Sequence, residues 1–285
     1  MTTTPNVSLT EIAVAPEQEL VTLAADSEPV QAATRKGRPI ETSPPPTPAE
    51  VLTLARGLPF TKSVLGPMVE GASAAQRRFL HTLFTQEQES REYAKRARLT
   101  RNAAFPVVKT FEGYDWSNLN WPPDWGRAQL AAFDFITQQE NLVFYGDVGT
   151  GKTHLAIALG HAACQAGYRV RFTTAASLVS QLRQAQTAGR LDRELGAIGR
   201  NDLIIIDELG YLPIDGQGAR LLFQVIADAY EKRSIVYTSN LEFSRWGSVF
   251  GDEQMAAAII DRTVHHGRML RFKGGSYRVA NATMK

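Results

Sequence analysis

Asn141 to Ala158 read NLVFYGDVGTGKTHLAIA, a short apolar run followed by a glycine-rich turn and a helix-forming stretch. Leu142 to Tyr145 is β-prone and stops at Gly146, the pattern of a buried strand ending in a tight turn. From Gly146 to Thr153 the turn spells a full G-x-x-x-x-G-K-T. Gly146, Gly149 and Gly151 carry no Cβ, so successive backbone N–H groups can converge on phosphate oxygens. Asp147, Val148, Thr150 and His154 belong to the same cradle, and a helix starting near Lys152 turns the positive end of its dipole towards the anion. Lys152 is expected to reach the β- and γ-phosphates and Thr153 to offer its hydroxyl to Mg2+, so ATP and Mg2+ are the expected ligands. A glycine-rich turn before any helix imitates part of this pattern; here the whole motif sits between strand and helix.

Working outward, DLIIIDEL at Asp202 to Leu209 is the second landmark. Four consecutive aliphatics can be buried on both faces only inside a covered parallel sheet. The strand ends in two carboxylates, at the sheet edge where α/β proteins bind ligands. Asp207 follows Lys152 by 55 residues, room for a helix, a strand and a second helix, so the two strand ends can meet. Asp207 is expected to hold Mg2+ and Glu208 to orient and deprotonate the attacking water. The third landmark, SIVYTSN, is an aliphatic strand ending in Thr238, Ser239 and Asn240. Asn240 is its best candidate for positioning that water, although asparagine also ends strands as a turn device.

The flanking segments read less sharply. Met1 to Thr47 is rich in Thr, Pro, Ala and Glu, contains Ser43-Pro44-Pro45-Pro46, and is expected to be disordered or loosely tethered. Helices are expected at Ala49 to Arg56 and Ala72 to Arg101, the second with an apolar stripe of Phe79, Leu80, Leu83 and Phe84. That helix turns basic towards its end: Arg91, Lys95 and Arg98 stand at i, i+4 and i+7, with Arg101 beyond. Such a face can track a phosphate backbone or serve as a solvated surface. Pro106 to Trp125 carries Phe111, Tyr114, Trp116, Trp121 and Trp125, which can flank an adenine ring or simply pack. Arg127 to Gln139, Ala175 to Ala188 and Gly216 to Lys232 read as helices, and Tyr168 to Phe172 as a strand. His265 and His266 adjoin, but no acid or cysteine lies at ligand spacing, so solvated or DNA-facing imidazoles are expected there.

At 285 residues and 44% hydrophobic content, the chain can hold one α/β core with an accessory region. Its lone cysteine, Cys164, can form no internal disulfide and fits a reducing compartment. No apolar run approaches the roughly 18 residues needed to cross a bilayer, and no signal peptide opens the chain. A cytoplasmic protein with no membrane partner is therefore expected. The net charge of +2 hides an acidic first 50 residues and a basic remainder, which fits a nucleic-acid partner without demanding one.

The phosphate loop, the DE-terminated strand and the TSN tip, in this order, resemble the AAA+ ATPases. Nearer still are bacterial helicase loaders of the DnaC type and the IstB-like helper ATPases of insertion sequences. The likeness runs from Ser90 to Arg278 and includes GYRVRF, AIIDRTVHHG and RFKGGSYR, the last pair looking more like a transposition helper. What the resemblance implies is a three-layer α/β fold with a central parallel sheet, preceded by a small helical domain and without a C-terminal lid. It also implies an ATPase that assembles side by side as a homo-oligomer, with Arg262 as the arginine finger. A helix-end ion pair or a DNA contact is the alternative for Arg262.

The expected division is a tail at 1–47, a helical DNA-binding and assembly region at 48–104, and an ATPase domain at 105–285. The expected function is ATP-dependent assembly on double-stranded DNA to regulate a partner transposase, with Arg91, Lys95, Arg98, Arg101, Arg268, Arg271 and Lys273 as DNA contacts; Arg278 extends that basic patch. A helicase loader is the rival on the same core. A P-loop kinase is disfavoured by the short segment after Arg262 and by the TSN tip.

Overall fold

The computed structural model describes residues 44–277. The expectations for the tail up to Ser43 and for Arg278 lie outside those residues. The chain forms two compact units, divided between Tyr93 and Ala94.

In the first unit, α1 (Pro48–Leu54) starts at a reciprocal cap. The Thr47 hydroxyl accepts the Glu50 amide at 3.3 Å, and the Glu50 carboxylate accepts the Thr47 amide at 2.7 Å. Next come α2 (Lys62–Glu70), a helix not expected from the sequence because Gly66 and Pro67 interrupt it, and α3 (Ala74–Asn102), whose residues from Ala94 onward belong to the second unit. Val51, Ala55, Leu58, Val69 and Phe84 form the small core. The stripe expected on α3 divides: Phe84 is buried, while Phe79 and Leu83 are 68% and 44% exposed.

The second unit is built on six strands: β1 (Leu119–Asn120), β2 (Asn141–Gly146), β3 (Val170–Thr174), β4 (Leu203–Leu209), β5 (Ser234–Ser239) and β6 (Gly267–Phe272). Their order across the sheet is β1-β6-β2-β5-β4-β3, and β1 alone runs antiparallel. The helices are α4 (Arg127–Ala132), α5 (Asp134–Thr137), α6 (Lys152–Gln165), α7 (Ala175–Thr187), α8 (Leu191–Ile198), α9 (Gly216–Ala229), α10 (Trp246–Phe250) and α11 (Glu253–His265). Alternate side chains of each buried strand feed two cores. Leu142, Phe144, Leu203, Ile205 and Val236 join α6 on one face. Val143, Ile204, Ile206, Ile235 and Tyr237 meet α7, α9, α10 and α11 on the other. This is the three-layer α/β sandwich that continuous aliphatic runs require.

Two expectations need correction. Arg127 to Gln139 is two short helices, because Phe133 adopts φ +58° and breaks the ladder while burying its ring. Gly267–Phe272, read only as part of a basic patch, is a full strand with Leu270 and Phe272 inward and Met269 and Arg271 outward. Among the described residues no helix is long and apolar enough to cross a membrane.

Candidate functional site

The carboxyl ends of β2, β5 and β4 are neighbours, and each delivers polar groups to one place. Gly149 (φ +83°) and Gly151 (φ +95°) turn the loop after β2 through conformations that L side chains resist. A Cβ on Gly149 would run into the side chain of Ser276, and one on Gly151 would lie 3.1 Å from the Tyr114 hydroxyl. The loop thus closes on its own backbone, with Thr150 Oγ1 donating to the Asp147 carbonyl at 2.8 Å. Lys152 is 4% exposed. Its Nζ donates to the carbonyls of Gly146 and Asp147 at 2.8 and 2.6 Å, which anchors the ammonium at the mouth of the loop. Val148 stays exposed at the loop crest.

Next to the loop, the Thr153 hydroxyl donates to Asp207 Oδ1 at 2.9 Å. The same buried carboxylate oxygen accepts from the Thr238 hydroxyl, whose own oxygen accepts the Glu208 amide at 3.0 Å. This chain needs an irregularity in the sheet. The pairing of β4 with β5 shifts register between Ile206 and Leu209, and Glu208 sits at φ +58°, exposed, where the strand bulges. Ser239 Oγ closes the gap by donating to the Leu209 carbonyl at 2.7 Å. Thr238 and Ser239 therefore substitute side-chain bonds for missing ladder bonds; in the sequence they stand out only as part of the polar strand tip in which Asn240 is the best candidate. The signal was available: hydroxyl residues end a strand whose neighbour ends in two acids. Asn240, the next residue, keeps a buried Oδ1 that has no hydrogen-bond partner among the described residues.

The donor set fits a nucleotide with its cation. A hydroxyl and a carboxylate, Thr153 and Asp207, suit a hard divalent ion, and the missing Cβ atoms of Gly149 and Gly151 let the loop pack close against Ser276 and Tyr114. His154 Nε2 lies 3.1 Å from the Thr110 carbonyl, and the Tyr114 ring lies 5.3 Å from the His154 ring. Of the aromatics from Phe111 to Trp125, Tyr114 is set against the loop. Trp116 and Trp121 stack 6.1 Å apart, and Arg127 covers Trp116 at 4.7 Å.

The chain matches the IstB-like ATP binding protein family over residues 63–284. It belongs to that family. An ATP-binding protein of insertion sequence IS21 from Pseudomonas aeruginosa is 40% identical over 206 residues, 71% of this chain and 77% of that protein. One of insertion sequence IS5376 from Geobacillus stearothermophilus is 37% identical, covering 78% of this chain and 90% of its own length. Among solved structures, the DnaC helicase loader covers 52% of this chain and 89% of its own, at 23% identity and a TM-score of 0.43. Membership makes this IstB-like chain an ATPase of the AAA+ P-loop class.

Other expected residues of the IstB-like chain lie elsewhere. Arg262 is at the far end of the sheet: its carbonyl accepts from Asn141 Nδ2 at 3.4 Å, at the opposite end of β2 from the phosphate loop. Its guanidinium donates to the Ala258 carbonyl and lies 4.9 Å over the Phe223 ring. Arg91, Lys95, Arg98 and Arg101 are exposed along α3, with Arg91 paired to Glu87 at 2.6 Å. Arg268 is engaged by Glu140 at 2.9 and 3.2 Å and by Asp124 at 2.8 Å, bonds that raise its already high pKa. Arg271 is exposed on β6 near the Tyr145 ring, and Lys273 is exposed beyond it.

Proposed function

We propose that this protein is an ATP-dependent, DNA-binding helper that assembles on double-stranded DNA and regulates a partner transposase. The observation that carries the ATP chemistry is the chain of bonds from Thr153 through Asp207 and Thr238 to Glu208. It joins the phosphate loop to a candidate base held at a bulge, an arrangement that nucleotide binding alone does not need. Thr153 and Asp207 would hold Mg2+, which when bound offsets phosphate charge. Lys152 would lend its ammonium to the outer phosphates. Glu208 would accept a proton from the attacking water, and Asn240 Oδ1 would accept that water's other hydrogen.

Arg262 serves a neighbouring copy in this account. Asn141 and Gly146 stand about 17 Å apart along β2 at roughly 3.3 Å per residue, beyond the reach of one arginine side chain. Its own phosphates are thus out of range, and a second subunit is the natural recipient. The exposed α3 face (Arg91, Lys95, Arg98, Arg101), with Arg271 and Lys273, would follow DNA phosphates. Arg268, committed to two carboxylates, contributes least. The transposase partnership rests on the relatives, which are proteins of insertion sequences.

The test is ATP hydrolysis and particle mass, with and without long duplex DNA, for the wild type beside Glu208→Gln. Large ATP-dependent assemblies on duplex, trapped by Glu208→Gln with turnover abolished, support the proposal. A monomer that ignores duplex and binds only single strands or a helicase replaces it with helicase loading.

A further inference from the structure

We propose a second cation site, of the zinc class, formed by Glu231, His265 and His266 at the sheet end opposite the phosphate loop. Sequence spacing gave the two histidines no acidic partner; the fold supplies one from 35 residues upstream. One ligand atom from each of the three side chains falls within 4.8 Å of the others. Glu231 Oε1 and His266 Nε2 are 3.2 Å apart. Metal bonds of about 2.0–2.1 Å in a tetrahedral site put neighbouring ligand atoms roughly 3.4 Å apart, so this pair already has the spacing. His265 is exposed, and its ligand atom already lies within 4.8 Å of the other two.

The surrounding structure supports that geometry. Glu231 sits at φ +55° in the turn between α9 and β5, a conformation that a non-glycine residue adopts at a cost. His266 is fixed from behind, its carbonyl accepting the Asn141 amide at 2.6 Å. The Tyr230 hydroxyl lies 2.9 Å from His265 Nδ1 and sets that ring's orientation, the role outer partners of metal-bound imidazoles play. His265 ends α11, a 13-residue helix whose negative dipole end favours a cation. Two imidazoles and one carboxylate select Zn2+, Co2+ or Ni2+ over Mg2+ or Ca2+, and leave a fourth position open. Occupancy would clamp the α9–β5 turn to the end of α11, one helical turn from Arg262.

Untagged full-length protein is titrated with Zn2+ against a chromophoric chelator and with Co2+ by visible absorption, and melting is followed with and without Zn2+. One equivalent of Zn2+ should bind, the Co2+ complex should show tetrahedral bands, and Zn2+ should raise Tm. Glu231→Gln, His265→Ala and His266→Ala should each weaken Zn2+ binding at least tenfold, while Asp207→Asn, in the nucleotide site, should not. Glu231→Gly relieves the backbone, so its metal-free Tm should hold or rise while its Zn2+ response disappears. Zn2+ binding that is absent, or unchanged within twofold in all three ligand variants, would reduce the cluster to a simple His–Glu pair and overturn the proposal.

Discussion

The Thr238 hydroxyl accepts the Glu208 amide at 3.0 Å and donates to the Asp207 carboxylate, so one side chain on β5 holds both acids of β4. Thr238→Val keeps the shape and deletes both bonds. Turnover should fall about ten- to a hundredfold, roughly 1.4–2.7 kcal/mol in the barrier, with ATP affinity within about threefold of wild type because phosphate-loop contacts are untouched. Thr238→Ser should stay close to wild type. Phosphate release and fluorescent-nucleotide titration measure the two effects; equal losses in both would show that Thr238 supports binding instead.

Glu208 carries its carboxylate from a left-handed backbone. Glycine relieves that strain, so Glu208→Gly should gain about 1 kcal/mol of stability while losing hydrolysis. Urea unfolding beside a phosphate-release assay tests this. A destabilised Glu208→Gly would mean that its side chain, not its backbone, holds the bulge.

Asp202, just before β4, receives the Arg169 amide at 2.8 Å and its guanidinium at 3.1 and 2.5 Å. Burial is the largest single influence and raises the carboxyl pKa, but the Arg169 bonds together with the charges of Arg169 and Arg233 outweigh it and leave the pKa lowered. A lowered folded-state pKa means stability that is complete above the unfolded value of about 3.9 and is lost as pH falls through the folded one. Asp202→Asn should therefore cost about 1 kcal/mol near neutrality, discounted for exposure. The wild-type advantage should shrink in acid, which paired urea titrations at neutral and acidic pH will show.

Cys164 is buried in α6, and burial pushes its thiol up to about 12. Native protein should resist a thiol-specific reagent at mildly alkaline pH, and labelling should track urea unfolding. Rapid labelling of the native state would indicate local opening of α6.

Much of this site was legible because buried parallel strands must be aliphatic throughout and their ends must be polar. Those two constraints marked β2, β4 and β5 and the residues at their tips. Less legible were features whose cause lies elsewhere in the chain. The strand β1 is two residues long and exists only because β6 offers it an edge. The alternation of Leu270 and Phe272 with Met269 and Arg271 was present but masked by the basic side chains. Glu231 could not be assigned to the histidines from spacing, since β5, α10 and most of α11 lie between them along the chain. The φ +58° of Phe133, the residue joining α4 to α5, splits an expected helix and goes with burial of its ring near Tyr168.

Thr153, at the start of α6 just after β2, bonds directly to Asp207 of β4, and β5 lies between β2 and β4 yet follows both in sequence. During synthesis, β2 and β4 therefore leave the ribosome before the strand that joins them. A nascent chain ending before Ser234 contains Thr153 and Asp207 but lacks Thr238, Asn240 and the strand that lies between β2 and β4. At the proposed nucleotide site, binding is then expected only from chains whose central sheet is complete, and it can report the moment at which β5 inserts.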